Sequence, residues 1–104
     1  MSDAKTIYDN LVRQIDADCA QSNCGGTLSL CETLGMQGGE KPYGAMGQHY
    51  VFDMVFPNGD RLDLSFKWYD KSKPFSIQPD IHKFHVTYTP KEGNPLSHSN
   101  SYEE

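Results

Sequence analysis

The sequence predicts an α+β domain, with one N-terminal helix packed on a four-stranded antiparallel meander sheet. Three observations carry this expectation. Apolar residues recur at helical spacing from Ala4 to Cys19, two alternating runs flank the turn sequence Pro57-Asn58-Gly59, and a third alternating run ends at Pro90. A length of 104 residues suits a single domain. The patterning assigns that domain to 1–90 and leaves 91–104 as a polar, flexible tail.

The helix is expected over residues 3–20. Ala4, Ile7, Tyr8, Leu11, Val12, Ile15 and Cys19 form its apolar side, with Lys5, Asp9, Arg13 and Asp16 opposite. Ser2 is the expected cap, Asp3 favours the positive end of the helix dipole, and Gly25-Gly26 lie past the end. Thr27 to Leu34 reads as the first strand, with Leu28, Leu30 and Leu34 on one face and Glu32 interrupting it. The stretch 35–48 holds five glycines and Pro42, and reads as a long loop.

His49 to Phe56 and Arg61 to Tyr69 are the clearest strands. Tyr50, Phe52, Met54 and Phe56 alternate with polar or smaller residues on the first, and Leu62, Leu64, Phe66 and Trp68 do so on the second. The turn between them decides the register. A two-residue loop at Asn58-Gly59 would set one strand's apolar face beside the other's polar face. A three-residue loop at Pro57-Asn58-Gly59, with Pro in a type I turn and Gly in the left-handed position, pairs Met54 with Leu62, Phe52 with Leu64 and Tyr50 with Phe66. Residues 71–81 are expected as a loop in which Phe75 and Ile77 dip into the core. His82 to Thr89 is the last strand, with Phe84, Val86 and Tyr88 inward. The core expectation joins Phe52, Phe66, Trp68 and Phe84 to Ile7, Leu11 and Ile15.

Composition narrows the function. Nine Lys and Arg against fourteen Asp and Glu give a formal charge of -5. That argues against a general grip on nucleic acid, which needs clustered cations. No apolar run approaches the roughly 18 residues of a membrane helix. The N-terminus shows no basic, apolar and small-residue leader pattern, and three cysteines are an odd number. A cytoplasmic location is therefore expected.

The chosen register sets Asp53 opposite Asp63 and His49 opposite Lys67 on the open face. Facing like charges are unfavourable unless splayed into water or used. With His49 and His85, and with Cys31 as a candidate thiol, such carboxylates could form the site of a small metal- or thiol-dependent enzyme. The plainer reading is a pair of solvated side chains. Cys19-x4-Cys24-x6-Cys31, with His82-x2-His85 downstream, does not match the paired spacing of a closed zinc site, so no metal and no cofactor is expected. Cys19 reads as core, Cys24 as exposed and Cys31 as outward on a strand. Gly35 to Lys41 lacks the Gly-Lys-Ser/Thr ending of a phosphate loop, and no triad or dinucleotide fingerprint occurs. Tyr43, Tyr69 and Tyr102 have no evident core place and are candidate interface anchors.

These readings converge on a non-enzymatic, acidic interaction module. Its expected partner is a protein with a basic surface, engaged through Asp53, Asp63, Tyr43, Tyr69, His85 and Glu40, with Asp60 adding to the acidic surface. Inhibitors of the immunity, antitoxin or phage anti-defence type share this small, acidic character. Two rivals are the enzyme using His49, Asp53, Asp63 and His85, and a subunit that pairs by adding an edge strand to a partner's sheet.

Overall fold

The computed structural model describes residues 3–23, 25–42, 48–68 and 81–103. Helix α1 spans Ala4–Ala20. Its N-cap is Asp3 rather than the expected Ser2. The Asp3 carboxylate accepts a hydrogen bond from the Thr6 amide at 2.8 Å, which holds its carboxyl below the usual range.

The segment expected as the first strand is a second helix, α2, Gly25–Thr33. Thr27, Leu30, Cys31 and Leu34 are spaced i, i+3, i+4, i+7, and this period prevails over the leucine alternation. Both ends are fixed. Asp18 of α1, itself buried, accepts from the Thr27 amide at 2.7 Å and the Thr27 hydroxyl at 2.6 Å. At the other end Gly35 takes φ 72°, its amide donates to Glu32 O, and the Met36 amide reaches back to Cys31 O. This is a Schellman stop, which a left-handed glycine makes inexpensive.

Five strands follow: β1 Gln37–Pro42, β2 Gln48–Val55, β3 Arg61–Trp68, β4 Ile81–Thr89 and β5 Leu96–Glu103. They pair in chain order, every pair antiparallel. The α+β meander therefore holds, but with two helices and five strands among the described residues. One added strand, β1, comes from the stretch expected as a long loop. There Gly38 sits so close to β2 that a Cβ would fall 2.0 Å from the Val51 carbonyl oxygen. The other, β5, comes from the expected tail. Residues 43–47 and the expected loop at 71–80 lie outside the described residues.

The β2–β3 register is the expected one, including Met54↔Leu62, Phe52↔Leu64 and Tyr50↔Phe66. The Gly59 amide donates to Phe56 O, the Phe56 amide donates to Asp60 O, and Gly59 has φ 97°. These are the marks of a type I turn closed by a glycine bulge.

Helix α1 crosses the inner face over β4 and β5 and touches β3. Ile7, Leu11 and Ile15 meet Leu62, Leu64, Phe66, Phe84 and Val86 in one buried cluster. Cross-strand rings run through it: Tyr50 to Phe66 at 4.7 Å, Phe66 to Phe84 at 5.2 Å, and Phe84 to Tyr102 at 6.2 Å. Tyr102, expected as exposed, is buried and stacks on His82 at 4.5 Å. The side chain of Trp68 lies outside the described residues.

Candidate functional site

The outward residues of the strands form rows set by the register. One row reads Asp53, Asp63, Thr87, Ser97; the next reads Val51, Ser65, His85, Ser99; the third reads His49, Lys67, Lys83, Ser101. Helix α1 lies on the other side, so among the described residues no helix covers this face.

Asp53 and Asp63 do stand opposite each other. Arg61 lies between them. Its Nε is 3.0 Å from Asp63 and its guanidinium reaches Asp53 at 3.8 Å. One cation against two carboxylates relieves the cross-strand repulsion and leaves a net negative charge. All three side chains keep between 38% and 50% of their exposure, so the pair remains reachable from solvent. Arg61 is two residues before Asp63 on the same strand, hence on the same face; that spacing was the available sequence signal for it.

His85 lies one row away, on β4. Its Nδ1 is 2.6 Å from Ser99 Oγ and its Nε2 is 3.1 Å from Thr87 Oγ1. Both ring nitrogens are thus engaged by hydroxyls rather than aimed at the carboxylates. His49 pairs with Lys67, a further row along. Among the described residues, no group of three or more His, Cys, Asp or Glu side chains is arranged to hold a metal ion. Glu40 lies in β1 opposite Tyr50, three positions from the residue opposite Asp53; its side chain is outside the described residues. Tyr43, Tyr69 and Cys24 also fall outside them.

The remaining candidates are structural. Cys31 is buried on α2, not outward on a strand, and burial pushes its thiol up to about 12. Burial likewise raises Cys19 to about 11. Both are protonated near neutral pH and are poor nucleophiles. Asp60 accepts from the Lys91 amide at 2.9 Å and from the Tyr88 hydroxyl at 3.2 Å, tying the β4–β5 connection to the β2–β3 turn. These bonds, led by that from Lys91, hold its carboxyl below the usual range.

Two acidic residues of α1, Asp16 expected on its exposed side and Asp18 given no role by the sequence, prove organising. Asp18 caps α2, and Gln14 donates to it at 2.9 Å. Asp16 binds His98 at 2.7 Å and Asn100 at 2.8 Å, both on β5. Much of the acidic character therefore lies on the helical side or serves the fold, and the open face itself is zoned. Carboxylates with Arg61 occupy one part, and Lys67, Lys83 and two histidines another. Among the described residues, no helix is long and apolar enough to cross a membrane. No family model, curated protein or solved structure matches the chain.

Proposed function

We propose that the protein is a non-enzymatic interaction module that docks through its open sheet face on a basic surface of a partner protein, and inhibits that partner by covering it. One observation carries the reading: the Asp53–Asp63 pair is held on a face that no described helix covers, with the Arg61 guanidinium between its members. A partner's Lys or Arg entering beside Asp53 completes the charge balance that Arg61 leaves unfinished. Five strands of about eight residues present roughly 600 Å² of sheet surface. This approaches the ~800 Å² that each partner contributes to a standard interface.

The test is quantitative capture from the native host by immobilised wild type and by the Asp53→Asn/Asp63→Asn variant, with folding verified by circular dichroism. Asparagine keeps the side-chain shape, whereas lysine at both positions would crowd two further cations against Arg61. A partner retained by wild type and lost from the variant supports the proposal. Equal retention refutes this face as the docking surface. It would favour the edge-strand alternative, in which β1 or β5 pairs with a partner's sheet.

A further inference from the structure

The open sheet ends in two edge strands, β1 and β5, and each has one side with which no described strand pairs. The two edges are built differently. β1 is six residues long and carries the features that discourage pairing. Gly38 and Gly39 take φ 122° and 148°, Pro42 has no amide to offer, and Glu40 and Lys41 bring charge into the strand. β5 has none of these features. Leu96–Glu103 is eight residues long, holds no glycine, proline, lysine or arginine, and has its one acidic residue at its very end. The Ser101 amide donates to the side chain of its own neighbour Asn100 at 2.8 Å, so it is turned away from β4 toward the rim. Alternation along the strand turns the amides of Ser97 and Ser99 the same way. Leu96 keeps 41% of its exposure, and among the described residues only Val55 joins it as an exposed large hydrophobic.

We propose that β5 pairs antiparallel with β5 of a second copy of this chain, joining two sheets into one. A two-fold axis at Ser99, perpendicular to the sheet, sets Ser99 against its own copy, Ser97 against Ser101, His98 against Asn100 and Leu96 against Tyr102. A slip of one residue would set helix-side positions against open-face positions. The three serine pairs are those whose amides already face the rim, and Ser101 exchanges the Asn100 oxygen for a carbonyl of the second copy. This self-complementarity is the argument for a second copy over a foreign strand. Serine hydroxyls meet across the open face, where cross-strand hydrogen bonds are favourable, and Leu96 is laid against the Tyr102 position. On the helical side Asp16 is already held by His98 and Asn100. The two Glu103 positions fall at opposite ends, about 26 Å apart by strand rise and beyond the screening length of about 8 Å. One paired strand covers less than a standard interface, so the dissociation constant should be on the order of 10–100 µM. Both open faces lie on the same side of the joined sheet and stay free, so the dimer and the docking reading stand or fall separately.

The test is sedimentation equilibrium of the full chain, with protein from about 10 µM to about 1 mM to bracket that constant. The mass should rise from 11.7 kDa toward twice that value and stop there. Ser99→Lys sets two ammonium groups against each other at the axis, and Ser99→Pro removes an amide at a rim where proline is tolerated. Each should weaken association about tenfold or more, with folding verified by circular dichroism. Ser29→Lys, the same exchange at an exposed position of α2, and Asp53→Asn/Asp63→Asn should associate as wild type does. Amide protection at Ser97, Ser99 and Ser101 should rise with protein concentration. Four results would each overturn the proposal: a mass that stays at the monomer value, growth past the dimer, a dimer that both Ser99 variants leave unchanged, or a dimer lost in Asp53→Asn/Asp63→Asn.

Discussion

Asp18→Ala should be among the most damaging single changes outside the apolar core. Asp18 is 3% exposed and Thr27 is 0% exposed, so neither can turn to water. Removing the carboxylate strands the Thr27 amide and hydroxyl together, and also releases Gln14. Each buried donor left unsatisfied costs about 1–3 kcal/mol, so the pair should lose about 2–6 kcal/mol. Asp18→Asn keeps one acceptor oxygen and should cost about half as much. Adding Thr27→Val to Asp18→Ala removes the stranded hydroxyl and should restore about 1 kcal/mol. Urea unfolding followed by circular dichroism gives these differences from the midpoint shift at constant slope. If Asp18→Ala remained within about 0.5 kcal/mol of wild type, Asp18 would not anchor the start of α2, and the helix would need another explanation.

Phe66→Ala removes a ring stacked between Tyr50 and Phe84 and should cost about 3–5 kcal/mol in the same assay. Hydrogen bonds from His98, the larger influence, and Asn100 hold the Asp16 carboxyl below the usual range. Its contribution is therefore fully present above the unfolded value near pH 4 and lost as pH falls through the lower folded value. Amide protection factors in 96–103, taken against the intrinsic exchange rate at each pH, should fall on that acid limb, and Asp16→Ala should lower them at neutral pH. Iodoacetamide at pH 8, read by peptide mass, should leave Cys31 unmodified in the native protein and label it after unfolding, because its thiol lies near 12 and is buried.

The parts legible in the sequence were those where local chemistry and the apolar pattern agree. Pro57-Asn58-Gly59 specified the turn, the turn specified the β2–β3 register, and the register placed Asp53 opposite Asp63. Helix α2 was obscured because Leu28, Leu30 and Leu34 alternate as well as they spiral, while its start depends on Asp18 in another helix. Strand β5 was obscured because its inward positions include His98 and Asn100, polar residues that belong inside only once Asp16 is there to bind them. Strand β1 combines glycines with Pro42, and pairing with β2, rather than propensity, makes it a strand. The acidic pair of the candidate site was visible, but the Arg61 guanidinium that bridges it was not singled out.

The most direct measurement of the docking reading is binding kinetics against the captured partner, by surface plasmon resonance at low and moderate salt. Asp53→Asn/Asp63→Asn should slow association and flatten its salt dependence, since both effects arise from charge attraction. Arg61→Gln, which unmasks the two carboxylates, should speed association. Salt-independent association that is unchanged in both variants would contradict docking through the Asp53–Asp63 face.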